Sequence, residues 1–151
     1  MQRIIKRSAR GILLSDDQLV LIKRTRPGQD PYWVTVGGGV EPTDADVEAA
    51  LHREVFEELA GVVKTPRLVH LITDSLDGGL GVQLIFAARL VSMRPSARTG
   101  SEFTKPERGA YEVELVPFAS DAVRGINLMP PELADFIAEN IAAITAVIDN
   151  W

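Results

Sequence analysis

Apolar positions along the chain follow two rhythms. Ser8 to Leu14 and Gln18 to Arg24 are short apolar runs joined by the polar turn Ser15-Asp16-Asp17, and they read as two strands. Tyr32 to Val36 reads as a third strand. Arg67 to Thr73 and Val82 to Ser92 follow around a turn at Asp77-Gly78-Gly79-Leu80-Gly81, and Tyr111 to Val116 is the last strand. Between the third and fourth strands the rhythm becomes helical. Leu51, Val55 and Leu59 advance about 40° per step and mark one apolar stripe. Asp44 or Thr43 is expected to cap this helix, and Gly61 to stop it. A second helix opens at Pro130-Pro131, with Leu133, Ile137, Ile141, Ile144 and Ile148 on a stripe suited to packing on a sheet. Strands alternating with helices predict an α/β fold.

The first helix carries the unusual chemistry. Residues three and four apart are neighbours on a helix surface, so Glu54 lies beside both Glu57 and Glu58. Two like charges about 6 Å apart repel by roughly 2 to 3 kcal/mol at an effective dielectric of about 20. On the helical wheel Glu58 falls inside the apolar stripe, between Val47 and Val55. Glu54 lies at the edge of the stripe, and Glu57 further toward solvent. Glu48 also falls near the stripe, so phase alone does not single out Glu58. A carboxylate on an apolar face is costly unless it is paired or binds a cation. Oxygen ligands favour magnesium, manganese or calcium over zinc. The plainer alternative is a solvated helix face held by an Arg53–Glu57 pair, worth about 0.3 to 0.5 kcal/mol.

The run Gly37-Gly38-Gly39-Val40-Glu41, followed by Arg53-Glu54-Val55-Phe56-Glu57-Glu58, resembles the Nudix hydrolase signature. That pattern reads glycine, five residues, glutamate, seven residues, then Arg-Glu-aliphatic-x-Glu-Glu-x-Gly-aliphatic. Residues Arg53 to Glu58 match it at every fixed position. Counted back without a gap, Gly39 takes the glycine but Ala45 stands where the first glutamate belongs. One inserted residue gives Gly38, five residues, Asp44, eight residues, Arg53, and keeps an acid in place. At the far end Ala60 occupies the glycine position, and a second insertion would retain Gly61 in that role. Val36 stands where proline is common.

The resemblance implies a Nudix-like mixed β-sheet sandwiched between helices, and hydrolysis of a diphosphate linkage in a nucleoside diphosphate joined to another moiety or in a nucleoside triphosphate. It implies magnesium, or manganese in its place, held mainly by Glu54 and Glu58. Glu57 would be a third ligand or an orienting base, and a carbonyl of Gly38 or Gly39 would complete the inner shell. Arg53 would orient Glu57 or a neighbouring carboxylate. The family often draws a further glutamate from downstream. Arg94 to Gly109 reads as a long irregular loop, of the kind that is commonly functional or disordered. Glu102 is the first candidate there, then Glu107 and, beyond the loop, Glu112. The main alternative is a catalytically silent Nudix-like domain that binds a nucleotide as a regulator. Isoprenoid diphosphate isomerisation would call for a cysteine, which the chain lacks.

Composition narrows the field. With 151 residues, 46% hydrophobic and 25% charged, residues 1–151 are expected to form one domain with a sizeable core. The net charge of −5 disfavours a nucleic-acid polymer but permits a small nucleotide or diphosphate bound through a metal. Absence of cysteine excludes disulfides, thiol catalysis and cysteine–zinc sites. The first residues lack the apolar run of a signal peptide, and no segment approaches a membrane span. A cytoplasmic protein without a membrane partner is expected, while a homodimer stays open. Tyr32 and Trp33 enter a strand, where an aromatic pair is more often core than a platform for a base. Lys23, Arg24 and Arg26 read as solvated charges, and neither His52 nor His70 is expected to be catalytic.

Overall fold

The computed structural model describes residues 2–99 and 109–150. Six strands, β1 (Ile4–Ser15), β2 (Gln18–Thr25), β3 (Tyr32–Gly39), β4 (Val62–Leu76), β5 (Gly79–Ser92) and β6 (Ala110–Pro117), form one sheet in the order β4-β5-β1-β3-β2-β6. β1 runs parallel to β5, and the other pairs are antiparallel. The helices are α1 (Val47–Leu59), α2 (Ser120–Arg124), α3 (Pro131–Glu139) and α4 (Ile141–Asp149).

Both faces of the sheet are covered, so the apolar runs split by parity. Val20 and Ile22 join Leu51, Val55 and Leu59 of α1 in one core. Leu19 and Leu21 join Leu133, Ile137 and Ile144 of the C-terminal helices in the other. A strand buried on both faces reads as a continuous apolar run, as Leu19 to Ile22 does. This is the mixed sheet between helices that the resemblance implied.

Several boundaries differ from the sequence reading, each for a local reason. Asp46, not Asp44 or Thr43, caps α1, its carboxylate accepting the Ala49 N–H at 2.7 Å. The left-handed residue that ends α1 is Ala60 (φ 46°, ψ 47°), whose N–H returns to the Phe56 carbonyl. Gly61 lies one residue too late to be the stop. A Cβ there would meet the Ser92 carbonyl oxygen at 3.1 Å, so close packing, not left-handed backbone, favours a small residue at 61. The β4–β5 hairpin turns on Asp77-Gly78 alone, with Leu76 already paired to Gly79. The C-terminal stripe holds, yet its helix breaks at Asn140 (φ −130°, ψ 28°), whose side-chain amide donates to the Phe136 carbonyl instead of sustaining the helix. The short α2 went unforeseen.

Candidate active site

The glycine end of β3 runs against α1, and the two bring the signature residues together. Glu58 is 6% exposed, and its Oε1 accepts the Gly37 N–H at 2.7 Å. Gly37 has φ 148°, and a Cβ there would lie 2.1 Å from the Ala9 carbonyl oxygen, so only glycine fits. A Cβ on Gly38 would lie 2.7 Å from the Glu54 carboxylate, whereas one on Gly39 meets nothing within 4 Å. The backbone at Gly38 therefore lies directly over Glu54.

Arg53 ties the loop to the helix. Its Nε and Nη2 donate to the two oxygens of Asp44 at 2.9 and 3.0 Å. Nη1 donates to Glu54 at 2.9 Å and to Glu57 at 3.2 Å, and Nη2 also reaches the Gly39 carbonyl at 2.9 Å. Asp44 in turn accepts the Glu41 N–H at 2.8 Å. The Arg53 hydrogen bonds, and then that N–H, hold the Asp44 carboxyl below the usual carboxylate range. Asp44, before all else, raises the Arg53 guanidinium above its ordinary value, and partial burial opposes the rise. Asp44 thus links Arg53 to the backbone of the glycine loop.

The burial order of the three glutamates follows the wheel. Glu58 is buried, the Glu54 side chain is 12% exposed and that of Glu57 35%. Glu54 and Glu58 open with Gly37 and Gly38 into a cavity of about 410 Å³. Gly39 and Glu57 do not line it. Among the described residues no group of three carboxylates or imidazoles converges to hold an ion unaided. Two carboxylates beside the glycine backbone nonetheless fit a hard divalent cation, which commonly takes one or two carboxylates and completes its shell with water and substrate phosphate.

The opposite wall is cationic and aromatic. Arg10, Arg24, Tyr32 and Tyr111 line it. Arg24 is 8% exposed, with its guanidinium 3.6 Å from the centre of the Tyr111 ring and 5.7 Å from that of Tyr32. This corrects the reading of Arg24 as a solvated charge. Its signal was in the parity of β2, since Val20, Ile22 and Arg24 share a face. Arg10 was missed altogether, though an arginine inside the apolar run of β1 is itself a flag. Tyr32 and Trp33 part company by the same rule: Tyr32 faces the cavity, while Trp33 packs against the C-terminal helices with Lys23 over its ring at 5.5 Å.

Of the downstream candidates, Glu102 and Glu107 lie outside the described residues. Glu112 is exposed on β6, on the face opposite Tyr111 and Val113, which pack on the α1 side. The start of the 94–109 segment docks on the end of α1, where the Thr99 N–H donates to the Glu57 carbonyl and that of Arg94 to the Leu59 carbonyl. Arg98 donates to the Tyr111 carbonyl at 2.7 Å. His52 is exposed on α1, and His70 stacks on Phe136 at 4.2 Å on the other side of the sheet.

A family profile, the NUDIX domain, matches residues 5–144. No curated protein matches the chain. Among solved structures, a NUDIX hydrolase from Nitrosomonas europaea superimposes with a TM-score of 0.69 at 19% identity, over 91% of this chain and 88% of that one. A MutT NUDIX hydrolase from Burkholderia pseudomallei gives 0.59 at 21% identity, over 89% and 95%. An ADP compounds hydrolase gives 0.60 at 18% identity, over 95% and 71%. The chain belongs to the Nudix family, enzymes that hydrolyse pyrophosphate bonds. Members of this family generally use divalent metal ions and act on small nucleotide-derived substrates. Among the described residues no helix is long and apolar enough to cross a membrane.

Proposed function

We propose that this chain hydrolyses the diphosphate linkage of a nucleoside triphosphate, or of a nucleoside diphosphate joined to another moiety, with magnesium or manganese as cofactor. The observation that carries the reading is the shared cavity of Glu54 and Glu58 beside the glycine run, with Glu58 buried and its orientation set by the Gly37 N–H. Glu54 and Glu58 would hold the ion, and Gly38 is the better placed of the two glycines to lend a carbonyl. Gly39 already gives its carbonyl to Arg53. A bound divalent ion neutralises charge on phosphoryl oxygens and acidifies a coordinated water.

Arg53 positions Glu54 and Glu57 from behind; Glu57, which stands outside the cavity wall, would act as the base that orients water or, by swinging inward, as a third ligand. Glu102 remains the first candidate for a further glutamate, ahead of Glu107, and the exposed Glu112 is third. A volume of about 410 Å³ suits a small nucleotide. The net charge of −5 favours such a substrate over a nucleic-acid polymer. Two cores that share one continuous sheet support a single domain over residues 1–151. A cytoplasmic place, where nucleotides are supplied, belongs to the same proposal, with no membrane partner.

The test is product release from nucleoside triphosphates, ADP-ribose, sugar nucleotides and dinucleotides, each with magnesium, with manganese and with a chelator. Cation-dependent turnover of at least one member is expected. Binding without turnover across the whole panel would replace this reading with a silent nucleotide-binding domain.

A further inference from the structure

β3 changes partners along its length. Val36 to Gly39 pair with β1, whereas Tyr32 to Thr35 pair with β2. Arg10 stands where the two pairings part, and its Nη1 donates to the Thr35 and Gly37 carbonyls at 3.1 and 3.0 Å. Among the described residues Nε and Nη2 of Arg10 have no acceptor. Beyond Arg10 lies a second chamber of about 240 Å³, which shares Arg10 and Val34 with the carboxylate cavity and is otherwise walled by Thr35, Gln83, Met129 and Pro130.

We propose that this second chamber is the base subsite of the enzyme, that Arg10 holds a phosphoryl group between the two chambers, and that Gln83 selects bases carrying an exocyclic amine. The inference rests on the hydrolase reading for the phosphate half of the substrate. Met129, 37% exposed, and Pro130 offer a polarisable apolar surface to a flat ring. Gln83 is the specific element. Its Nε2 donates to the Asp74 carboxylate at 3.1 Å. An ionised carboxylate only accepts hydrogen bonds, so Asp74 fixes which way the amide faces. The amide oxygen is left as the acceptor that Gln83 can offer a ligand, and an exocyclic amine is its natural donor. Two adjoining chambers with a guanidinium between them also match the layout of a nucleotide, whose phosphates and base lie at opposite ends.

The test is calorimetric binding of ATP and of purine riboside triphosphate, which lacks only the exocyclic amine, in a chelator so that nothing turns over. Wild type and Gln83→Leu are compared. Wild type is expected to bind ATP about five- to tenfold more tightly, the worth of one net hydrogen bond. In Gln83→Leu the ratio should fall to near one while the melting temperature holds, because Gln83 is only half-buried on β5. Equal affinities in wild type, no detectable nucleotide binding, or a ratio unchanged in the variant would each overturn the assignment. Discrimination without metal-dependent turnover would leave the subsite standing and sink the hydrolase reading. Turnover without discrimination would do the reverse.

Discussion

Asp44 grips Arg53 through both carboxylate oxygens, and this grip couples the glycine loop to the glutamates of α1. Arg53 passes the constraint on to Glu54, Glu57 and the Gly39 carbonyl. A lysine at 53 has one nitrogen to offer where the guanidinium serves four partners. Arg53→Lys should therefore lower kcat about 10- to 100-fold, the usual cost of losing a group that orients metal ligands, with a smaller change in KM. Steady-state kinetics on the best substrate would check this. A variant with wild-type kcat would show that Arg53 does not position the site.

The same pair predicts an acid dependence. When folded, the Asp44 carboxyl is held below the usual carboxylate range, chiefly by its hydrogen bonds from Arg53. A depressed carboxylate contributes stability that is present above the unfolded value and is lost as pH falls through the folded one. Urea midpoints of wild type should therefore drop as pH is lowered below about 4. Asp44→Asn should be less stable at pH 7 and lose less stability over that same acid range. Parallel curves for the two proteins would contradict the coupling.

The three glycines should respond differently to a methyl group. Gly37→Ala would drive a Cβ into the Ala9 carbonyl and should unfold or strongly destabilise the protein. Gly38→Ala meets the end of the Glu54 side chain, which can yield, so the fold should survive while kcat falls by tenfold or more. Gly39→Ala has open space and should stay near wild type in melting temperature and rate. Thermal melts with initial rates for the three variants decide it. Equal rates for the variants at 38 and 39 would remove the special place of Gly38 over Glu54.

Ala60 holds a left-handed backbone that costs an L-residue about 1 to 2 kcal/mol. Ala60→Gly should stabilise the protein by about 0.5 to 1 kcal/mol after the greater chain entropy of glycine is subtracted. That corresponds to a rise in Tm of about 1 to 4 °C for a domain of this size. A fall in Tm would mean that the Ala60 methyl contributes packing that outweighs its strain.

Much of this architecture was legible in the residue pattern, because both periodicities are set by burial. The parity of β2 and β3 separates Tyr32 from Trp33, and the wheel of α1 orders Glu58, Glu54 and Glu57 by depth. Helix ends were less legible. Whether Asp44 or Asp46 caps α1 depends on which carboxylate Arg53 captures, a contact between residues nine apart in the chain. Ala60 was passed over as the stop because alanine seldom adopts that backbone unless the surrounding structure compels it. The cationic wall was hidden for another reason. Arg10 and Arg24 come from two different strands and meet only after the sheet has formed.

The most direct measurement of the central claim is magnesium-dependent pyrophosphate-bond hydrolysis by Glu58→Gln beside wild type, with fold monitored by circular dichroism. Glutamine keeps the shape of Glu58 and an oxygen able to accept the Gly37 N–H, but it removes the buried ligand charge. An intact fold and a rate reduced by at least a hundredfold are expected. A folded variant with full magnesium-dependent activity would contradict the role assigned to Glu58, and with it the metal site.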